Sequence, residues 1–200
     1  MSWDKIPGWF SWEEVYARWA REAPPGAVFV EVGVFLGRSL AFLLEHLRGK
    51  DATVYAVDPW VDDWRPEEWR DGVPGEGHHY TWGGDLREVS NAHGGPFRSA
   101  LWHLMAHAGE DFEKVRVLRV PSVQAARLFE PGSVDFVWID GDHNEGAIRQ
   151  DIAVWTPLVK PGGAIGGHDY SGSYPGVVRA VDEAFGPGRG VRVSSWEVRR

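Results

Sequence analysis

The clearest pattern of hydrophobic and polar positions lies between Val134 and Tyr170. Apolar runs at Val134–Ile139 and Gly163–Gly167 each have the length of a buried strand. Between them, apolar residues recur at the i, i+4, i+7 spacing of a helix that packs on a sheet: Ile148, Ile152 and Trp155. Pro161-Gly162-Gly163 predicts a turn at the end of this segment. The order strand, helix, strand predicts two parallel neighbours whose carboxyl ends share one sheet edge.

Similar patterns along the rest of the chain predict a single α/β domain over residues 1–200. Further strands are predicted at Ala27–Val32, Ala52–Val57, Val115–Val120 and Val191–Val198, the last as one or two strands bent near Ser194-Ser195. Helices are predicted at Leu40–Leu47, Phe97–Ala108, Val123–Phe129 and Pro175–Phe185. Strands that alternate with helices favour a doubly wound, Rossmann-like, mostly parallel sheet.

Residues 1–23 predict an N-terminal helix. Ser11 and Glu14 have the spacing of a capping box, which predicts Ser11 as the N-cap. One helix face is apolar and consists of Trp12, Val15, Tyr16 and Trp19. This face either packs across the sheet or forms part of a substrate wall.

The segment 59–96 follows neither a helical nor a strand period. It is rich in glycine and acidic residues and carries several aromatic side chains, namely Trp60, Trp64, Trp69, Tyr80 and Trp82. Loops of this length are usually functional or disordered, and the aromatic content argues against disorder. We predict a lid that supplies substrate specificity, with an oligomer contact as the alternative. His78-His79 can bind metal, although adjacent histidines in such loops are more often incidental.

Composition and charge exclude several classes of protein. The 200 residues carry a net charge of −8 without a basic stripe, which argues against a nucleic-acid partner. Because cysteine is absent, there is no disulfide framework and no thiolate metal site. No apolar run approaches a membrane span, and the N-terminus lacks a signal-peptide pattern. We expect a cytoplasmic protein without a membrane partner, and a homo-oligomer remains open.

Polar residues follow both central strands. Asp140, Asp142 and His143 come directly after the first, and His168 and Asp169 follow the second. Open α/β sheets bind their ligands at the carboxyl ends of their strands. These two clusters therefore predict the active edge of the sheet.

The first strand ends in a glycine turn with the pattern Glu31-x-Gly33-x-x-x-Gly37. The pattern lacks the close glycine pair of a dinucleotide fingerprint and supplies an acid instead, which favours a cationic group such as the amino group of a sulfonium amino acid. A plain tight turn is the alternative. Asp58 ends the second strand, where an acid suits two ribose hydroxyls. Ser122 follows the third strand and either caps a helix, faces an adenine ring, or does both.

These strand-end residues resemble those of class I S-adenosylmethionine-dependent methyltransferases. FVEVGVFLGRS is similar to the first motif of that family and AVDPW to the second. VDFVWIDGDH and KPGGAIGGHDY resemble the branch that includes macrocin-type sugar O-methyltransferases and cephalosporin-hydroxylase-like proteins. The resemblance implies S-adenosylmethionine as cofactor, held by Glu31, Gly33, Gly37, Asp58, Ser122 and Asp140.

The resemblance also implies a metal site. In metal-dependent members, an Asp after the fourth strand and two acidic or amide residues after the fifth hold Mg²⁺. Asp140 and Asp169 match this pattern, whereas His168 stands in place of an oxygen ligand and suits Zn or Fe better. Asp142 could supply the missing oxygen. His168 itself is a metal ligand, a second base or a residue that orients Asp169.

The hypothesis for catalysis assigns a divalent metal to Asp140, His168 and Asp169, with His143 as general base for a hydroxyl proton. The expected acceptor is a small molecule, such as a sugar or another polyhydroxylated metabolite. Two alternatives remain at this point. One is a nicotinamide-dependent dehydrogenase on a similar sheet, and the other is a non-catalytic partner subunit that binds S-adenosylmethionine.

Overall fold

The computed structural model of the chain describes residues 2–61, 86–192 and 194–200. Its strands are β1 Ala27–Val32, β2 Ala52–Val57, β3 Val115–Leu118, β4 Val134–Ile139, β5 Val159–Gly167, β6 Gly190–Arg192 and β7 Ser195–Arg199. Its helices are α1 Glu13–Glu22, α2 Arg38–His46, α3 Leu86–Asn91, α4 Pro96–Ala108, α5 Ser122–Ala125, α6 Glu145–Trp155 and α7 Pro175–Phe185.

The seven strands form one sheet in the order β3-β2-β1-β4-β5-β7-β6. β1 to β5 pair in parallel, while β7 is antiparallel to β5 and β6. The order reverses between β1 and β4, and open α/β sheets bind their ligands at the carboxyl ends of the strands at such a reversal. The predicted mostly parallel, doubly wound sheet is confirmed.

Two hydrophobic cores cover the two faces of this sheet. One packs α1, α2 and α4 against the sheet, and the other packs α6 and α7. The apolar face predicted for the N-terminal helix belongs to the first core, where Trp12 stacks on Trp138 and Trp19 stacks on Phe136. The packing alternative for this face is therefore confirmed.

Local hydrogen bonding changes two of the predicted boundaries. The predicted Ser11 cap is wrong, because α1 has Trp12 at its N-cap position without a side-chain cap, and the Ser11 hydroxyl bonds His168 instead. Pro161-Gly162-Gly163 does not stop the chain but lies within β5. The pairing of β4 with β5 shifts its register at this tripeptide, so the strand continues past it. Gly162 has a φ of 84° and donates its N–H to the carbonyl of Arg200.

The predicted lid is described in part. Within 59–96, the helix α3 corrects the expectation of an aperiodic segment. Trp60 is buried and donates its indole N–H to the carbonyl of Phe35 at 2.7 Å. The remaining aromatic and histidine residues singled out above lie outside the described residues, namely Trp64, Trp69, His78, His79, Tyr80 and Trp82. The lid function stays a prediction.

The described helices are all short. None of them is both long and apolar enough to cross a bilayer. The longest, α4, has 13 residues, whereas a span needs about 20.

Candidate active site

Gly33 lies where the loop after β1 contacts the loop after β4. Its φ is +85°, and a Cβ at this position would lie 2.0 Å from the carbonyl oxygen of Asp140. Asp140 in turn donates its backbone N–H to Val32 at 2.8 Å. Only a residue without a side chain allows this close approach of the two loops, which places the glycine turn beside Asp140.

Asp58 stabilises the glycine turn from β2. Its carboxylate accepts the backbone N–H groups of Val34, Phe35 and Trp60 at 3.0, 2.9 and 2.7 Å. Burial raises the pKa of Asp58, while these hydrogen bonds oppose the shift. The role of Asp58 toward ribose hydroxyls remains a prediction, since the described contacts are all internal. Gly37, the N-cap of α2, has a φ of +87°.

Gly37 also meets a helix of the first core. A Cβ there would lie 2.9 Å from Leu104 of α4. The second glycine of the motif therefore has a packing role, in addition to the cofactor role that the resemblance implies.

Glu31 is fully buried beneath this turn. One carboxylate oxygen accepts the Tyr16 hydroxyl and the other the Ser39 hydroxyl, each at 2.6 Å. Burial raises the pKa of Glu31 to about 8, although both hydrogen bonds lower it. Sequence reasoning missed both partners, because Tyr16 reads as part of an apolar helix face and Ser39 as a residue of the helix start.

We expect Glu31→Gln to reduce the dependence of stability on pH. Since the pKa of Glu31 is about 8 in the folded state and about 4.5 for an unperturbed glutamate, the folded protein keeps a proton that the unfolded chain releases between these pH values. The free energy of unfolding should thus fall with rising pH across this window, by up to about 1.4 kcal/mol per pH unit. Urea unfolding of both proteins at about pH 5.5 and pH 7.5 measures the difference. Equal slopes would contradict the prediction.

The carboxyl ends of β4 and β5 bring two acids and two histidines together. His143 Nε2 lies 2.7 Å from Asp169 Oδ2 and 3.9 Å from Asp140 Oδ1. His168 Nδ1 lies 3.2 Å from Asp169 Oδ1 and 3.9 Å from Asp140 Oδ1. Parallel pairing of Ile139 with Gly167 puts both strand ends at the same level. Asp140, His143, His168 and Asp169 therefore form one cluster, called the acidic-histidine cluster below.

Charge pairing dominates the electrostatics of the acidic-histidine cluster. Burial lowers the pKa of His143, but hydrogen bonds with Asp140 and Asp169 outweigh it and raise the pKa to about 10. The pKa of Asp169 is held below its usual range because the two imidazoles outweigh burial. Burial raises the pKa of Asp140. Burial lowers the pKa of His168, but Asp169 and Asp140 outweigh it and raise that pKa. Without another cation, His143 holds its proton at neutral pH.

The start of α1 closes one side of this cluster. Ser11 Oγ lies 3.0 Å from His168 Nε2, and the Trp12 ring lies 4.7 Å from the imidazole of His168. On the other side, Tyr174 packs its ring 5.0 Å from that of His143. The contact with Ser11 was missed because its spacing from Glu14 predicts a helix cap. No local sequence pattern reports a contact between positions 11 and 168.

The donor set suits a divalent metal ion. Asp140, His143 and Asp169 each offer one ligand atom, and these atoms all lie within 4.8 Å of one another. Two carboxylates and one imidazole form a mixed set of oxygen and nitrogen ligands. Such a set binds transition metals in preference to Mg²⁺, which prefers oxygen ligands. The predicted ligand His168 is not part of this group, although its Nδ1 lies 3.2 Å from Asp169 and 3.9 Å from Asp140 while its Nε2 contacts Ser11. The metal assignment stays a prediction.

Ser122 lies apart from the acidic-histidine cluster. Its hydroxyl accepts the indole N–H of Trp155 at 2.8 Å in the second core. The N-cap of α5 is Pro121, so the hydroxyl does not cap that helix. Its role toward an adenine ring remains a prediction.

Comparison with known proteins identifies the family. A family model described as "Methyltransferase domain" matches residues 30–170. No curated protein sequence matches the chain significantly.

Solved structures share the fold at low identity. One is the apo TDP-rhamnose 3′-O-methyltransferase CalS11 of calicheamicin biosynthesis, with TM-score 0.61, 17% identity, and coverage of 94% of this chain and 76% of that one. A second is a SAM-dependent O-methyltransferase from Thermotoga maritima, with TM-score 0.54, 13% identity, and 92% and 56% coverage. A third is the precorrin 8W decarboxylase of Methanobacterium thermoautotrophicum, with TM-score 0.53, 18% identity, and 91% and 76% coverage.

At these identities the structural likeness shows the fold, and the reaction class comes from the family model. The match to the family model runs from within β1 to the residues just after β5. It therefore includes the glycine turn and the acidic-histidine cluster. The chain therefore belongs to the methyltransferase-domain family, as a S-adenosylmethionine-dependent methyltransferase with a class I fold.

Proposed function

We propose that this methyltransferase acts on a hydroxyl oxygen of a small polyhydroxylated molecule such as a sugar. The observation that carries the proposal is the 2.7 Å pair of His143 and Asp169, beside Asp140, at the strand ends. An alcohol is a weak acid, so its methylation needs a group that removes the proton. One structural neighbour is described as a TDP-rhamnose 3′-O-methyltransferase, which supports an oxygen acceptor.

The cofactor side of the proposal rests on the glycine turn. S-adenosylmethionine supplies an activated methyl group when it is bound. Gly33 lets the backbone of the turn lie close to Asp140, which brings the proposed cofactor and acceptor sites together. Asp58 keeps the turn rigid through three backbone hydrogen bonds. A rigid turn limits the loss of conformational freedom on binding.

The acceptor side rests on the acidic-histidine cluster. A divalent metal held by Asp140 and Asp169, with His143 near it, would lower the pKa of an acceptor hydroxyl. The same two carboxylates raise the pKa of His143 to about 10 when they pair with it. A cation held by these carboxylates would offset the charge that stabilises the imidazolium, and His143 would then be able to accept a proton at neutral pH.

We expect metal removal to change both the activity and the pKa of His143. Chelation should reduce methyl transfer at neutral pH by at least about tenfold, since the imidazole then keeps its proton. Histidine NMR with and without Zn²⁺ should show a lower pKa of His143 in the metal-bound protein. Full activity in chelator together with an unchanged pKa would refute metal assistance.

His143→Gln should lower turnover by roughly 10²–10⁴-fold, because glutamine cannot accept the proton. His46→Gln is the matched control, since His46 is exposed on α2 and bonds its own helix at Phe42. Turnover assays on nucleotide-linked and glycosidic sugars would measure the loss. Near-full turnover in His143→Gln would show that another group takes the proton.

Calorimetry with S-adenosylhomocysteine tests the cofactor assignment independently of the acceptor. We expect binding both with divalent metal and after chelation, since the glycine turn and Asp58 do not belong to the metal donor set. Absence of binding in both conditions would refute the proposed function.

A further inference from the structure

A pocket of about 530 Å³ opens at the start of α1. Its wall is formed by the residues before and within the first two turns of α1, together with Val191 of β6. This volume lies within the range of small-molecule sites. Neither the cofactor turn nor the acidic-histidine cluster lines it. The pocket is therefore a separate space from the site described above.

The pocket adjoins the acidic-histidine cluster at His168. Ser11 lines the pocket and contacts His168 Nε2 at 3.0 Å. His168 in turn contacts Asp169 at 3.2 Å. Trp12 also lines the pocket and lies against the same imidazole. Ser11, Trp12 and His168 are therefore the residues that lie between the pocket and Asp169.

The pocket wall combines apolar surface with negative charge. Phe10, Val15 and Val191 supply the apolar part, and the side chain of Val191 is 48% exposed although it is aliphatic. Glu13 and Glu14 supply carboxylates. Arg18, the one cation among the described residues of the wall, donates to both carboxylate oxygens of Glu197, which offset its charge.

This lining discriminates between classes of ligand. Carboxylates accept hydrogen bonds from hydroxyls, and apolar surface packs against the C–H face of a sugar ring. The same carboxylates repel phosphate groups, and Arg18 is not available to attract them because Glu197 holds it. The wall thus favours a hydroxylated group without phosphate.

The geometry points to this pocket as an acceptor subsite, which holds the part of the acceptor next to the methylated hydroxyl and selects non-phosphorylated, hydroxylated groups. This inference rests on the proposed function and adds the substrate class. It differs from the activity named for CalS11, whose acceptor is a nucleotide-linked sugar. Glu13 and Val191 are the specificity-determining residues.

Amide NMR on the full chain saturated with S-adenosylhomocysteine tests the subsite. The two probes are 4-nitrophenyl α-L-rhamnoside and TDP-rhamnose. We expect the glycoside to shift resonances of residues 10–18 and 191 and to bind more tightly than TDP-rhamnose. Val191→Trp should weaken glycoside binding by about tenfold, or roughly 1.4 kcal/mol, by filling the pocket. Leu128→Trp, at an exposed aliphatic position next to the other edge of the sheet, should leave binding unchanged.

Charge reversal supplies a second test. Glu13→Lys should narrow the preference for the glycoside over TDP-rhamnose, whereas Glu130→Lys, an equal charge change away from the pocket, should not. The inference is overturned if the cofactor product binds but the glycoside leaves residues 10–18 unshifted, or if TDP-rhamnose binds more tightly to the wild type. Failure of S-adenosylhomocysteine itself to bind would instead count against the proposed function.

Discussion

Replacing Asp169 by asparagine should lower methyl transfer by about 10³-fold while the fold is retained. Asp169 contacts His143 at 2.7 Å and His168 at 3.2 Å and belongs to the group of side chains proposed to hold a metal ion. Asparagine has nearly the same shape as aspartate but lacks the negative charge that attracts both imidazoles and any bound cation. The backbone at Asp169 has a φ of 60°, a region that asparagine adopts more readily than most residues. The asparagine variant therefore isolates the charge from backbone strain.

Turnover and urea unfolding of Asp169→Asn measure the two parts of this expectation. The pKa of His143 should also fall, because one of the two carboxylates that raise it has become neutral. Asp111→Asn is the control, since Asp111 pairs with Arg48 and Lys114 on the far side of the molecule. Turnover of Asp169→Asn within tenfold of the wild type would contradict the role of this carboxylate.

Gly33→Ala should produce the largest loss of stability among single methyl additions at the glycines that the structure describes. The added Cβ would lie 2.0 Å from the backbone oxygen of Asp140, so the loops after β1 and β4 must separate. The positive φ of Gly33 adds strain of about 1–2 kcal/mol. We expect a total cost of roughly 2–5 kcal/mol, with the steric part at about 1–3 kcal/mol. Binding of S-adenosylhomocysteine should weaken as well, since the turn moves.

Gly49→Ala separates the cost of backbone strain from the cost of the steric clash at Gly33. Gly49 has a φ of +72°, but no atom lies within 4 Å of the position of its Cβ. This control variant carries only the backbone strain. Urea unfolding of both variants measures the difference, and calorimetry with S-adenosylhomocysteine measures the change at the turn. Equal losses of stability would mean that the contact between Gly33 and Asp140 is unimportant.

The order of strands and helices could be predicted from the sequence because it depends on local periodicity. Val134–Ile139 is apolar throughout and fully buried as β4, and α6 begins within three residues of its predicted apolar stripe. The convergence of Asp140, His143 and Asp169 followed from this order, since parallel neighbouring strands end at one sheet edge. The family resemblance that these motifs indicated is confirmed by the family model over residues 30–170.

Contacts between distant segments could not be predicted in this way. The bond of Ser11 to His168 spans 157 positions, and the choice between capping α1 and reaching His168 depends on where the helix lies on the sheet. Tyr16 packs its apolar ring in the core and donates its hydroxyl to Glu31. The helical spacing of apolar residues predicts the burial of the ring but not the hydrogen bond of the hydroxyl. Local spacing cannot distinguish these outcomes, because each is decided by packing.

The sequence by itself determined the sheet, its polar edge and the residue types gathered there, because hydrophobic period and strand connection are local properties. Packing of distant segments decided the partners: His143 lies beside both aspartates, and Ser11 contacts His168. It also decided the burial of Glu31 and the pocket beside α1. Hydrogen-bond partners, burial and cavities arise only when distant segments pack together, so their physical origin is the tertiary fold.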